Sequence, residues 1–459
     1  MAPIDVVIIG AGIAGLSTAY ELSCRGVSFA VLERASRAGG VIFSEEIDGY
    51  TIDGGPDSLL VQKPEGIALC EAIGLGERLV PTKPPRLAYI QRAGRLHPLP
   101  AGSVLGIPTQ VAPFARTRLF SWAGKLRMGA EIFVPRRREE TDESIGAFMT
   151  RRFGSEATTY LAEPLLAGIH AGEVNRLSAQ ALFPRLVSAE RQFGSLLRAF
   201  RSTPETRIPS TAGAFRSLPG GLSELVRALV RTIGEHNLRL DTAVAAITGR
   251  APFTVRTSDG DAVEGRAVVL ATPAYVTSAL TRDRDPELAS LSADIPYASS
   301  ATVALAFRRS DIAHPLIGSG FVVPRVEGTG ILAGSWLSSK WPHRAPDDRV
   351  LLRTFIGGAR DPDALDRPDE DLIAHSIAAL RPLIGIRGEV LFTRVYRWVR
   401  GSAQHEVGHL TRMAAIERAL TRHPGLYVTG SGFRGVGIPD CVADGRATAR
   451  QVATWLEQS

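Results

Sequence analysis

Apolar positions change their period twice within the first thirty-odd residues of the chain. Residues 6–9 form a continuous β-branched run, the pattern of a strand buried on both faces of a parallel sheet. Leu16, Ala19, Leu22 and Gly26 then recur at helical spacing, so one face of a helix can lie flat on that sheet. A second apolar run, 29–32, returns to strand. The same alternation comes back later. Leu222, Leu225, Val226 and Leu229 stripe a helix, 241–247 reads as a strand, and 253–256 with 262–265 as a hairpin around Asp259-Gly260. Residues 267–272 read as another buried parallel strand, and 426–429 with a helix to about Leu456 close the chain. Between these blocks the pattern differs. A short helix is expected over 64–74, and a crossing to another domain at the proline-rich stretch 81–85. A hairpin is expected over 86–96 with Arg86 in strand context, then helical fragments to 135. Ile145, Phe148, Met149 and Phe153 predict a helix that opens at 141–143 with Thr141 as cap and ends at Gly154. Residues 295–400 read mostly as strands interrupted by one helix, 368–380, an α+β pattern.

The turn between the first strand and helix carries Gly10, Ala11, Gly12, Ile13, Ala14 and Gly15 as G-x-G-x-x-G, and the second apolar run ends on Glu33 with Arg34 behind it. The first glycine permits the tight turn, the second lets a pyrophosphate approach the backbone, and the third lets the helix pack closely on the strand. An acid about twenty residues on accepts hydrogen bonds from the ribose hydroxyls of an adenosine. A glycine turn alone could serve packing only. Strand, glycines, helix, strand and acid in this order indicate dinucleotide binding. Glu33 would repel a 2′-phosphate, which disfavours NADP and leaves NAD and FAD. Near the other end, Gly435, Val436, Gly437 and Ile438 feed a helix and aim backbone N–H groups and a positive dipole end at whatever lies before them. Donors at that place favour charge developing on a reduced flavin.

Length and composition fit a globular protein of two or three domains: 459 residues, 44% hydrophobic and 22% charged. The net charge of +6 is spread over scattered arginines, and the densest group, Arg136-Arg137-Arg138, is followed at once by Glu139-Glu140. No basic stripe interleaved with aromatics is present, so nucleic acid is not an expected partner, whereas an anionic substrate or an anionic membrane face is compatible. Cys24, Cys70 and Cys441 are far apart and form neither a disulfide framework nor a metal motif. A reducing, cytoplasmic compartment fits them. No run of eighteen apolar residues occurs, which speaks against a spanning helix and leaves peripheral attachment to the inner face of the membrane open.

Arg37, Gly39 and Gly40, followed by I-D-G-Y-T-I-D-G-G-P-D-S, resemble the glutathione-reductase-type FAD domain shared by amine oxidases, phytoene desaturases and porphyrinogen oxidases. In that group the arginine and paired glycines continue the pyrophosphate site. Gly55, Pro56, Asp57 and Ser58 would run beside the isoalloxazine. GPDS at 55–58, RRFG at 151–154, EPLLAGIHAG at 163–172, KWPHRAP at 340–346 and GVGIPDC at 435–441 are, in this order, similar to the bacterial oxygen-dependent porphyrinogen oxidases. RLHPLPAGSVLGIPT at 95–109 points to the Firmicute-type branch, which oxidises coproporphyrinogen III; its sister branch oxidises protoporphyrinogen IX. His170 and His405 depart from that family's usual aromatic residues.

The resemblance implies an α/β fold with a discontinuous FAD-binding domain (1–80, 215–280 and 425–459), an α+β substrate domain (81–105, 191–214 and 281–424) and a helical subdomain (106–190). It implies non-covalent FAD, a tetrapyrrole substrate, O2 as acceptor and H2O2 as product, with the flavin carrying the chemistry and no catalytic dyad. A transient contact with the next enzyme of haem synthesis also fits. By the same resemblance Arg86 would bind a propionate, Trp398 would stand next to the flavin, and Val244 would meet the adenine. Gly168, Ala171 and Gly172 would let a flat macrocycle approach the backbone, with tight helix packing as the alternative. Rival readings are an amine oxidase, a carotenoid desaturase, or a non-catalytic FAD-stabilised assembly factor.

Overall fold

The computed structural model describes residues 4–104, 106–139, 141–202 and 213–459. Its first sheet is a parallel α/β layer with Ile4–Ile9 at the centre, flanked by Phe29–Leu32 and Ala262–Leu270, with Leu238–Arg239 at one edge. Alternate residues of the first strand serve opposite faces. Val6 and Ile8 join a core under the helices Ile13–Cys24, Ser223–Ile233 and Ile438–Gln458. Val7 and Ile9 join one under Ala274–Thr281, Pro286–Ala293 and His409–Leu420.

Ala262–Leu270 is one strand where the sequence suggested two. Its first half alternates buried and exposed and pairs antiparallel with Phe253–Thr257, which in turn pairs with Val244–Gly249. Its second half is buried on both faces and pairs parallel with Leu426–Val428. Gly265 does not break it, because its backbone pairs with Ile4 on one side and Phe253 on the other.

The second sheet has seven strands in the order Phe392–Ala403, Tyr297–Arg308, Arg349–Gly357, Ile331–Trp336, Gly320–Val322, Ala88–Arg92 and Arg95–Pro98. The helix Asp369–Ile384 covers one face, with Leu372, Leu380 and Ile384 against Val303, Leu305 and Leu352. The other face offers small residues, Ala304 and Ala306, to Tyr50, Ile52 and Trp341. Arg86 lies before the strand Ala88–Arg92, not in it.

The helical segment packs around Phe148, Met149, Phe153, Leu161, Leu177 and Leu186. Of the expected stretch 191–214, residues 203–212 lie outside the described residues. The helix Ile145–Phe153 is capped by Ser144, whose Oγ accepts from the Ala147 amide at 3.1 Å, and not by Thr141. Thr141 is taken by Arg137 at 2.7 Å, and Asp142 reaches across to the Ser178 hydroxyl at 2.8 Å and the Gly408 amide at 3.1 Å. Beneath this helix Arg152 and Glu131, both fully buried, form an ion pair. Glu131 also accepts from the amides of Leu196 (3.0 Å) and Leu197 (3.3 Å) at the start of the helix Leu196–Ser202, where the helix dipole favours an anion. Glu131→Ala leaves Arg152 only the more distant Glu190 carboxylate, 3.4 Å away, and is expected to cost about 3 kcal/mol in urea unfolding with an unchanged slope. A loss below about 1 kcal/mol would mean that the pair contributes no more than a surface bridge.

Candidate active site

The turn 10–15 is tight for reasons each glycine makes plain. Gly10 has φ +104°, and a Cβ there would meet the Ala271 carbonyl oxygen at 2.6 Å. A Cβ on Gly15 would collide with the Gly10 carbonyl and lie 3.1 Å from the Ala271 methyl. Gly12 differs: a Cβ would meet nothing within 4 Å. Gly12 also begins the helix Ile13–Cys24 with no side-chain cap, so the first N–H groups, Ile13 and Ala14 among them, lack intrahelical partners and face an open cradle. The paired glycines come to the same place. Gly39 forms a parallel bridge with Gly12 and donates to the Ala11 carbonyl at 2.8 Å, and Gly40 turns at φ +58° beside the Gly12 Cα. Arg37 rivets this loop from within, donating to the carbonyls of Gly40 (2.8 Å) and Ile42 (3.1 Å).

Glu33 sits where the second strand ends. Its carboxylate accepts from the Ala11 amide (2.8 Å) and the Ala35 amide (2.9 Å), which ties the acid to the glycine turn. Arg34 beside it is exposed. The Thr242 amide donates to the Glu33 carbonyl at 2.8 Å, which brings Val244, two residues on, near the end of the second strand. The open cradle at Gly12, the uncapped helix start and the tethered acid fit a pyrophosphate and an adenosine ribose.

The 53–58 segment is held by buried charge. Asp57 accepts from Lys340 at 3.0 and 2.9 Å, and Arg353 lies 3.3 Å away. Burial alone would raise the Asp57 carboxyl, but Lys340 and Arg353 hold it well below the usual carboxylate range. Asp53 pairs with Arg344 at 2.9 Å, both fully buried, and Arg353 donates to the carbonyls of Asp53 and, at 2.7 Å, Gly55. With its oxygens committed to Lys340 and Arg353, Asp57 has only its backbone left to run beside a cofactor. Ser58 likewise spends its hydroxyl on Asp57 at 3.0 Å. Gly55 is required by the chain itself, since a Cβ there would collide with the Val41 carbonyl. Pro56 follows it in the same turn. Trp398 donates to the Gly54 carbonyl at 2.9 Å and stands over Gly55. Thr302 bonds the same carbonyl at 2.7 Å.

The closing loop returns to the first turn. Asp444 accepts from the Gly430 amide (2.9 Å) and the Thr429 hydroxyl (2.7 Å), and a Cβ on Gly430 would lie 3.5 Å from the Ala14 methyl. The Gly437 amide is not a free donor: Asp440 caps it at 3.2 Å and in turn pairs with Lys63 at 2.6 Å. Val436 and Ile438 remain as the amides at this helix start.

Two substrate expectations change, those for Gly172 and Ala171. A Cβ on Gly172 would collide with Gln404 and Leu177, so this is the tight-packing alternative. Ala171 is buried against Ala298, Leu332 and Phe355, and its carbonyl is taken by the Ala359 amide at 2.8 Å. Arg86 is exposed, with Nε bonded to the carbonyl and hydroxyl of Thr82 at 3.1 and 3.2 Å. Gly168 starts the short 3-10 turn Gly168–His170 that follows an unusually wide helical stretch, Thr158–Ala167. Sequence reasoning missed Lys340, Arg344 and Arg353 as the anchors of 53–58. Lys340 and Arg344 were visible only inside a family motif, and their partners lie nearly three hundred residues away.

His405 and His409 were missed as a pair. Their rings stack at 3.7 Å and both are buried. Burial, and then the neighbouring His409, lowers His405 to about 3; burial also lowers His409, with Arg412 adding to it against Asp142. Burial, with Lys63 adding to it, lowers His170 to about 4.

The family described as flavin containing amine oxidoreductase matches residues 13–453. The coproporphyrinogen III oxidase of Bacillus subtilis (strain 168) is 33% identical over 464 residues, covering 98% of each chain. The chloroplastic protoporphyrinogen oxidase of Nicotiana tabacum is 29% identical over 489 residues, covering 100% of this chain and 87% of the relative. The crystal structure of a protein from Exiguobacterium sp. 255-15 matches over 100% of both chains with a TM-score of 0.87 at 32% identity.

Two predictions follow from this geometry. Gly12→Val should leave circular dichroism native and remove the bound dinucleotide, whereas Gly15→Val should prevent folding; loss of fold in both would make Gly12 a packing residue. On pH, the unfolded chain protonates its imidazoles below about pH 6.5 while the buried pair stays neutral. Stability is therefore full above that pH and falls as the pH is lowered toward 3. From pH 7 to 5 His405 alone should cost about 2 kcal/mol in urea unfolding, a slope that His405→Phe flattens. An equally steep slope in the variant would refute it.

Proposed function

The chain belongs to the flavin-containing amine oxidoreductase family, and from that premise we propose that it oxidises coproporphyrinogen III to coproporphyrin III, with O2 as acceptor and H2O2 as product. The observation that carries this reading is similarity along the full length, at 33% identity, to a coproporphyrinogen III oxidase, joined to a cradle that fits the cofactor. The cofactor is FAD, which when bound supplies the two-electron acceptor for hydride removed from the macrocycle. The residues of the chain bind and orient. Gly10–Gly15, with Gly39 and Gly40, receive the pyrophosphate, Glu33 the ribose, and the segment at Val244 the adenine. Trp398 and the 54–56 backbone bound the isoalloxazine. The Val436 and Ile438 amides, at the start of a 21-residue helix, favour negative charge on the reduced ring. Burial pushes the Cys441 thiol up to about 12 and its sulfur bonds the Gly435 carbonyl at 3.4 Å, which supports non-covalent binding.

A second reading, oxidation of protoporphyrinogen IX, is favoured by the similarity to the tobacco protoporphyrinogen oxidase. An amine oxidase is less well supported. An aromatic cage would want Tyr396 beside Trp398 facing the flavin, but Tyr396 is bonded to Glu45. The division into FAD-binding, substrate and helical parts belongs to this proposal. It is supported by the first sheet drawing its strands from 4–32, 238–270 and 426–428 and the second from 88–98 and 297–403. No described helix is long and apolar enough to cross a membrane. Trp122, Leu126 and Phe133, 70–79% exposed beside Lys125, support peripheral contact of the helical part with a cytoplasmic membrane face or with the next enzyme of haem synthesis.

The test is anaerobic reduction of the bound FAD by coproporphyrinogen III, protoporphyrinogen IX and amines, followed by aerobic turnover read as porphyrin fluorescence. Coproporphyrinogen III carries four propionates and protoporphyrinogen IX two, and an apolar wall that accepts vinyl groups penalises a buried carboxylate. The expected outcome is a kcat/KM at least about tenfold higher for coproporphyrinogen III. Arg86→Ala should raise KM more than it lowers kcat, as a propionate clamp contributes uniform binding. Preference for protoporphyrinogen IX would overturn the substrate, and reduction by amines alone would overturn the reaction class.

A further inference from the structure

The segment 404–409 joins the helical part to the flavin loop by two different kinds of bond. On one side its backbone is gripped. The Ser178 amide donates to the His405 carbonyl (2.9 Å), the Val407 amide donates to the Arg176 carbonyl (2.9 Å), and Gly408 donates to Asp142. Gln404 donates through Nε2 to the His170 carbonyl at 2.9 Å. On the other side its two imidazoles reach the closing loop, His405 Nε2 to the Ser431 carbonyl at 2.9 Å and His409 Nε2 to the Phe433 carbonyl at 2.8 Å. A carbonyl only accepts, so each Nε2 carries the proton and each ring is the neutral Nε2–H tautomer. The buried His409 Nδ1 has no partner among the described residues, which leaves Nε2 as the ring's directed bond. The rings lie parallel, 10° apart, so neither turns without displacing the other.

We infer that His405 and His409 are positioning residues of the flavin site, a stacked unit that fixes the direction of the 431–434 peptides and ties them to the helical segment 170–178. The reason is peptide geometry. In a planar trans peptide the C=O and the following N–H point in opposite directions. Holding the Ser431 and Phe433 carbonyls toward the histidines therefore turns the Gly432 and Arg434 amides the other way. The same restraint sets the path from Gly430, beside Ala14, to Val436 and Ile438. Gly432 permits this path, since a Cβ there would lie 2.5 Å from the Tyr297 hydroxyl.

This inference rests on the site being a flavin site, not on the identity of the substrate, and its test reads the flavin directly. His405→Phe and His409→Phe keep ring and stack and remove the donor, while His405→Gln and His409→Gln keep an amide donor in reach. FAD affinity is measured from the fluorescence of released flavin, and the midpoint potential of the holoprotein against a reference dye. Each Phe variant should bind FAD about tenfold more weakly. Each should also change the ratio of reduced to oxidised binding about tenfold, or roughly 30 mV for a two-electron couple. The Gln variants should recover most of both, and the double Phe variant should lose less than the sum of the singles, as expected of a unit. Wild-type affinity and potential in folded Phe variants would overturn the inference. Equal losses in Phe and Gln variants would do the same, because they would assign the effect to packing. Should a Phe variant not fold, the Gln variant decides: folded with wild-type flavin properties it supports the inference, folded without FAD affinity it overturns it. Inactivity toward porphyrinogens alongside the expected flavin changes would sink the substrate reading alone.

Discussion

Taking a charge out of water costs several kcal/mol unless a partner is waiting, and the meeting of the two sheets is built around that constraint. Lys340, Arg344 and Arg353 belong to the second sheet and its connections, and Asp53 and Asp57 belong to the hairpin and turn that leave the first. Neither set is tolerable buried alone. Together they fix the height of the Gly54–Gly55 backbone between Val41 below and Trp398 above. Trp398 meets that backbone through its own bond to the Gly54 carbonyl, and the buried charges set the height of the backbone it meets.

The first turn obeys a different constraint. There the side chains are absent because backbone needs the room. Gly10 and Gly15 are excluded from bearing a Cβ by the chain, and Gly12 by nothing in the chain at all. Both kinds of glycine are written identically in the sequence. Only the neighbour at the Cβ position separates a glycine that serves the fold from one that serves a ligand.

What was legible in the sequence follows the range of the interactions. The buried run at 6–9, the helical stripe Leu16, Ala19 and Leu22 and the acid at 33 depend on neighbours within thirty residues, and the structure has them where the pattern puts them; Gly26 falls outside the helix, which ends at Cys24, and turns the chain at φ +68°. The single strand Ala262–Leu270 was split because its two halves face different environments, which reads as two periods. Thr141 failed as a cap because Arg137 claims its hydroxyl. Gly172 resembles a ligand-facing glycine until Gln404, more than two hundred residues on, fills the space beside it. The stacked imidazoles of His405 and His409 were invisible for the same reason: four residues apart in sequence, they have a meaning set by carbonyls at 431 and 433. The Gly437 amide was a local miss, since the aspartate three residues on is itself a capping signal.

The forked strand Ala262–Leu270 has a bearing on the order of events during synthesis. Its antiparallel partner, Phe253–Thr257, precedes it closely, and Ile4–Ile9 is already waiting, but its remaining parallel partner, Leu426–Val428, emerges more than 150 residues later. At about 5–20 residues per second, an apolar sheet edge at 268–270 stays unpaired on the ribosome while the strands of the second sheet between 297 and 403 are made. The helix Ile438–Gln458, at whose start the cradle closes, emerges after them. Cofactor capture therefore waits for that helix, and a nascent protein stalled within 297–403 holds a glycine turn ready for a pyrophosphate with no second wall to keep it.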